Sequence, residues 1–260
     1  MQDSRPDHTA KRLIIVTRPA PDGPSLIQSL AEIGEDAHFA PVMDIAPNDV
    51  AVDMTNVTSL AFTSANGVRA FAEKSDRREL PVFAVGPATA KAAATAGFTN
   101  VNAADGDVRA LARLISSAPI FQPQTTGTVL HVAGVHRAGD LCALLQEHGI
   151  SSRREVIYEA TARERISPQT LSAIDNALSE QREVLALFYS ARSAQLFIAQ
   201  TQAAGASDRF KKIAAVCLKA PIGEAASIAD WSRIVIADEI NDAEDPFIKL
   251  ITRGIHAAAP

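Results

Sequence analysis

The chain has only two cysteines in 260 residues, Cys142 and Cys217. They lie far apart, form no Cys-x-x-Cys pair, and each sits inside an apolar pattern. That argues against a disulfide framework and against a thiolate metal centre, and reads as two buried thiols in a reducing compartment. Base is also in deficit: 25 Lys and Arg stand against 30 Asp and Glu, a net charge of −5. No general attraction to nucleic acid or to an anionic membrane surface is expected, so an anionic ligand would need local positive charge. No stretch approaches the roughly 18 apolar residues of a membrane helix. Residues 1–11, MQDSRPDHTAK, lack an apolar core and carry Arg5 and Asp7, so they read as a frayed tail rather than a signal peptide. There is no glycine-rich phosphate loop and no GxGxxG after a strand. The six histidines show no metal spacing, and His131 and His136 serve as strand and loop residues. The expected location is the cytoplasm, with no metal.

What is present is 47% apolar sequence, enough for two cores in a chain of this length. Short apolar runs alternate with helical patterns. LIIV (13–16), LAFT (60–63), VFAV (82–85), VLHV (129–132), VLALFY (184–189), IAAVC (213–217) and RIVIA (233–237) each precede a helix-like stretch. Continuous apolar strands of this kind belong to parallel sheets covered on both faces, and the alternation predicts α/β layering with right-handed crossovers. Gly34, Gly97 and Gly149 are each placed to end a helix.

Two segments break the alternation. HFAPVMDIAP (38–47) and SRREVIYEATA (152–162) are extended in character, and Pro41 and Pro47 argue against helix in the first. They expose an internal repeat. The unit strand–helix–Gly–extended occurs at 13–47 and at 129–162, with Leu26, Leu30 and Gly34 matching Leu141, Leu145 and Gly149. A second unit occurs at 60–98 and 185–228, where FTSANGVRAF (62–71) recurs as FYSARSAQLF (188–197). The second half thus repeats the first in rotated order. The simplest topology is two similar flavodoxin-like α/β lobes. Domain A joins 1–36 to 164–260, domain B is the insert 49–151, and segments 37–48 and 152–163 form a two-stranded β-ladder. Strand ends would then face a shared cleft, with TSAN and YSAR as matching strand-to-helix turns.

In their order and spacing, VTRP (16–19), PVMDIAP (41–47), FTSANGVRAF, VGPATAKAA (85–93), VIYEATA (156–162) and FYSARSAQLF resemble uroporphyrinogen-III synthase over nearly the whole chain after residue 12. The resemblance implies two α/β lobes joined by a two-stranded ladder. It implies a lyase that takes hydroxymethylbilane, with its eight carboxylate side chains, to uroporphyrinogen III. Water is lost, the terminal pyrrole is inverted through a spiro intermediate, and no cofactor takes part. A cytoplasmic monomer in transient contact with the enzyme that makes hydroxymethylbilane fits that role.

Candidate site residues follow from the turns and from the resemblance. Thr63, Ser64 and Ala65 in one lobe match Ser190 and Ala191 in the other. The hydroxyls serve as helix caps, and the free amides beside them suit carboxylates. Thr89 lies in the first helical turn after the Gly86–Pro87 corner and points toward the mouth of the cleft, where it either meets the substrate or serves as a capping hydroxyl. The matching stretch VCLKAPIGEAA (216–226) has Cys217 in place of Gly and Ile222 near the Thr position, and it adds the cation Lys219. Tyr158 lies on the returning segment. A ladder tyrosine ordinarily packs, while the resemblance points its phenol at the departing hydroxyl. Arg18, Arg137, Arg192 and Lys91 lie near strand carboxyl ends, where they either pair with substrate carboxylates or remain solvated. The acidic string DEINDAEDP (238–246) reads as a solvated turn. The rival function is a non-catalytic two-lobed protein that binds tetrapyrroles or small anions.

Overall fold

A computed structural model describes residues 12–121, 127–136, 139–237 and 245–253. The order is β1 (Leu13–Val16), α1 (Asp22–Glu32), β2 (Asp36–Phe39), β3 (Met43–Pro47), β4 (Val57–Phe62), α2 (Ala65–Lys74), β5 (Val82–Ala84), α3 (Pro87–Thr95), β6 (Val101–Ala103), α4 (Val108–Ser116), β7 (Thr128–Gly134), α5 (Leu141–Glu147), β8 (Ser152–Ala162), α6 (Pro168–Ser179), β9 (Val184–Phe188), α7 (Ala191–Ala203), β10 (Ile213–Cys217), α8 (Ala220–Ala226), β11 (Arg233–Ile236) and α9 (Pro246–Arg253). The α/β class expected from the alternating pattern is what the chain adopts. Contacts divide it into two compact units, Met1–Asp44 with Thr161–Pro260, and Ile45–Ala160.

In the first unit five strands run in the order β11-β10-β9-β1-β2, and every neighbouring pair is parallel. Numbered along the chain within this unit, the order is 5-4-3-1-2, the flavodoxin-like arrangement. The central strands are buried on both faces, which is why LIIV, VLALF and IAAVC are unbroken apolar runs. Ile14, Val16, Leu185, Leu187 and Val216 pack with Leu26 and Leu30 of α1 and with Phe247, Ile248 and Ile251 of α9. On the other face Phe188 meets Phe197 of α7 edge-on, ring centroids 5.7 Å apart, and Trp231 at 5.6 Å. Each such buried side chain contributes about 1.5–3 kcal/mol.

The sheet of the second unit has the order β3-β8-β7-β4-β5-β6. Its five strands from β8 to β6 are parallel. Counting from β7 and continuing from β8 to β4 gives the order 2-1-3-4-5 again. The sheet is therefore the first one with the chain entering at its third strand, which is the rotation that the repeat predicted. The repeated phrase has a packing cause. Phe62 meets Phe71 edge-on at 5.9 Å, as Phe188 meets Phe197, so each phrase ties its strand to the following helix through one T-shaped pair. The helix ends repeat as well. Gly34 and Gly149 hold φ of +82° and +70°, the left-handed conformation that lets the chain turn off α1 and α5.

Of the segment 37–48, residues 37–39 belong to β2, parallel to β1, and 43–47 form β3. β3 lies beside β8 in the sheet order. Asn48 N donates to Ile157 O at 2.9 Å and Arg163 N donates to Val42 O at 3.0 Å. Both pairs sum to the same register, the mark of an antiparallel pairing. The buried amide of Gln200 donates to Val42 O and Arg163 O at 2.9 and 2.7 Å, and the side chain is only 4% exposed. Replacing it as Gln200→Leu removes both bonds while keeping the volume. Urea unfolding should show a loss of about 1–3 kcal/mol; an unchanged midpoint would contradict a structural role for this amide.

Candidate functional site

In an open parallel sheet a ligand site forms beyond the strand carboxyl ends, where successive crossovers leave in opposite directions. That point lies between β1 and β9 in the first unit and between β7 and β4 in the second. The repeated turns occupy these points.

In the first unit Thr17 Oγ1 donates to Leu187 O at 2.6 Å and joins the ends of β1 and β9. Arg18 follows, and its guanidinium lies over the Tyr189 ring, 4.1 Å from the centroid. Arg18 Nη2 donates to Asp22 Oδ2 at 2.9 Å, and Nη1 lies 3.7 Å from Asp245 Oδ2. Tyr189 Oη sits 2.7 and 2.6 Å from the two oxygens of Asp245, and the ring meets Phe247 edge-on at 4.6 Å. Burial, reinforced by the Asp245 carboxylate, raises the Tyr189 phenol well above its ordinary pKa, so it stays a donor. Ser190 caps α7: its hydroxyl accepts from Ser193 N, and Ser193 Oγ accepts from Ser190 N, a complete capping box. Ala191 and Arg192 open that helix, both half-buried. Lys219 occupies the N-cap position of α8 at the adjacent strand end.

In the second unit the Thr63 hydroxyl lies 3.3 Å from His131 Nε2 across β4 and β7. Ser64 caps α2 by accepting from Asn66 N at 3.1 Å, and Ala65 is its first residue. Thr89, third residue of α3, is 6% exposed, and its counterpart Ile222, third in α8, is 7% exposed. An apolar side chain therefore satisfies the packing where the repeat lacks the hydroxyl. Tyr158 is 8% exposed and belongs to the core with Phe62, Val68 and Val132. Its ring covers Gly134 at the end of β7 and approaches Gly67 in α2. Tyr158 thus stands at the β7–β4 switch point, close to the Thr63–Ala65 turn.

Some readings change. Arg137 lies outside the described residues. Asp245, read as part of a solvated turn, accepts from Phe247 N at 3.0 Å and from Tyr189. Arg18, read as a cation for a ligand, has two carboxylates beside it, Asp22 hydrogen-bonded and Asp245 at 3.7 Å. Tyr189, Asp22 and Asp245 were missed. The aromatic in FYSAR where the first phrase has FTSAN was the signal available for Tyr189, whereas nothing local announces Asp245. Burial lifts the Cys217 thiol to about 12, so this cysteine is a packing residue. Among the described residues no group of His, Cys, Asp and Glu side chains could hold a metal ion, and no helix is long and apolar enough to cross a membrane.

A methyl added at Gly134 would lie 2.7 Å from Tyr158 Cε2 and 2.8 Å from Cζ. Gly134→Ala should therefore push the tyrosine ring out of place at a cost of about 1–3 kcal/mol. Thermal unfolding and the Tyr158 ring resonances would report it. An unmoved ring in a variant of unchanged stability would contradict the packing described.

The uroporphyrinogen-III synthase HemD family model matches residues 25–244. Individual curated protein sequences give no match. Among solved structures, the chain is similar to uroporphyrinogen-III synthetase from Helicobacter pylori 26695, with 17% identity and a TM-score of 0.59, covering 95% of this chain and 100% of that one. It is also similar to a mutant uroporphyrinogen III synthase from the extremely thermophilic bacterium Thermus thermophilus, with 15% identity and a TM-score of 0.50, covering 94% and 100%. The structural likenesses speak for the fold, and the family model, spanning most of the chain with both repeated turns inside it, decides the assignment: the chain belongs to the uroporphyrinogen-III synthase family.

Proposed function

We propose that the chain is a cofactor-independent hydro-lyase that closes hydroxymethylbilane to uroporphyrinogen III, inverting the terminal pyrrole. The observation that carries this reading is the position of the two repeated turns, Thr63–Ala65 and Tyr189–Ala191, at the reversal points of their sheets. There the first turns of α2 and α7 offer amides to substrate carboxylates. Arg18, Arg192 and Lys219 supply cations at the strand ends of the first unit, with Arg137 assigned the same task from sequence. Thr89, in the first turn of α3, is assigned to the ligand on the same footing, and it is buried to about the same degree as Tyr158.

The substrate's carbinol C–O bond breaks with a hydrogen bond or a proton from Tyr158 to the oxygen, which leaves the electron-rich pyrrole as hydroxide or as water accordingly. The proton that the ring-closing pyrrole carbon later loses neutralises that hydroxide or restores the phenol, so that one water is lost in all. Ionisation is facile, so the protein's main contribution is to hold the bilane where inverted closure outruns direct closure. We place the enzyme in the cytoplasm as a monomer that receives its unstable substrate from the enzyme that makes it.

The test is product analysis. Hydroxymethylbilane supplied to the protein should yield, after oxidation, the type III isomer above the spontaneous type I background. Binding without type III product would favour the non-catalytic rival. Tyr158→Phe should lower kcat by roughly 10-fold with little change in KM, as expected when a hydrogen bond made chiefly in the transition state is lost. Unchanged type III turnover in a stable Tyr158→Phe variant would remove the phenol from the mechanism.

A further inference from the structure

Arg18 and Asp245 stand side by side at the β1–β9 switch point, yet they do not close into a hydrogen-bonded pair. Their nearest atoms are 3.7 Å apart, beyond hydrogen-bonding distance. Both side chains retain about a quarter of their exposure, 24% and 25%, so neither is walled off from solvent. An arginine and a carboxylate this near would ordinarily join in a bidentate fork at about 2.7–2.9 Å. What holds them apart is visible in the partners of Asp245. The Tyr189 hydroxyl lies 2.7 and 2.6 Å from the two carboxylate oxygens and shares its one proton between them, and Oδ1 also accepts from Phe247 N, which ties it to the first turn of α9. Arg18 is fixed independently. Nη2 is bonded to Asp22, and the guanidinium plane rests on the Tyr189 ring. One residue therefore serves both: the ring of Tyr189 carries the cation, and its hydroxyl restrains the anion.

We propose that Tyr189 is a positioning residue that keeps Asp245 off Arg18, so that the Nη1 edge of the guanidinium receives a carboxylate of the ligand. This rests on the reading above that Arg18 meets a substrate carboxylate, and it says how a cation already flanked by two acids remains able to do so. Asp22 sets the plane and Tyr189 sets the distance to Asp245. The incoming carboxylate takes the place that an unrestrained Asp245 would fill. The matching position in the other repeat, Thr63, has no ring and could not perform this double task, so the device belongs to one unit only.

The experiment is a double-mutant cycle read by binding of uroporphyrin III, a stable octacarboxylate, through its fluorescence, and in parallel by KM for hydroxymethylbilane. Tyr189→Phe keeps the ring under Arg18 and against Phe247 and keeps the Phe247 N bond to Oδ1, but removes the hydroxyl that restrains Oδ2, the oxygen facing Arg18. It should weaken uroporphyrin binding and raise KM by roughly 3- to 10-fold, the range that one charge-assisted hydrogen bond supports, and leave kcat within about 2-fold. In an Asp245→Asn background the same change should do nothing, because no competing charge remains to be released. Asp245→Asn alone should bind uroporphyrin as tightly as the wild type or more tightly. The proposal is overturned if Tyr189→Phe weakens binding equally in both backgrounds, if it leaves binding unchanged, if Asp245→Asn alone weakens binding, or if the wild type does not bind uroporphyrin. Type III turnover by the wild type is a separate measurement, so loss of the enzymatic reading and loss of this one are told apart.

Discussion

A parallel strand cannot be followed directly by its neighbour; the chain must return over the sheet before the next strand begins. In a sheet whose strands are added first on one side and then on the other, this constraint produces one place where two crossovers diverge and leave the strand ends uncovered. Each unit has one such place, between β1 and β9 and between β7 and β4. Most of the polar features described above collect there: Thr17 bonded across two strands, the two capped helix starts, the Arg18 cluster, and the Thr63–His131 pair. The apolar strands are the means by which those ends are held: their faces are buried under helices, so polar groups are presented at the strand ends.

The elements legible in the sequence are those whose physics is local. LIIV, VLALF and IAAVC announce central strands because burial on two faces demands unbroken apolar runs. Gly34 and Gly149 mark helix ends because the left-handed turn demands them. The rotated repeat was readable because Phe62 with Phe71 and Phe188 with Phe197 are the same packing solution used twice. Elements that escaped were weak in the same local terms. β6 is three residues with no buried side chain, and β2 is an edge strand without an apolar run, so the sequence suggested only an extended segment. α4 and α6 are amphipathic and well capped by Asp107 and Ser167, and those signals were present but unread.

The candidate site divides along the same line. Ser64 and Ser190 could be read as caps because the hydroxyl and the amides it serves are within three residues. Tyr158 could be placed near the site, but its packing over Gly134 depends on the β7–β8 register, which no local pattern encodes. Arg18 could be found, and its acid partner from the start of α9 could not, because that contact joins opposite ends of the chain through the fold. Sequence spacing identifies which groups stand at a strand end. It does not reveal which of them already satisfy one another, and that decides how much charge a ligand meets.

The claim beneath all of this is that the ligand is received at the carboxyl edges, around the two reversal points. Hydrogen exchange of the whole chain, measured with and without saturating uroporphyrin III, tests it most directly. The account predicts slowed exchange in peptides covering 16–23, 62–69 and 187–194, with the amino-terminal strand edges at 34–36, 149–152 and 180–184 unchanged. Protection confined to those amino-terminal edges, with the repeated turns exchanging as before, would contradict it.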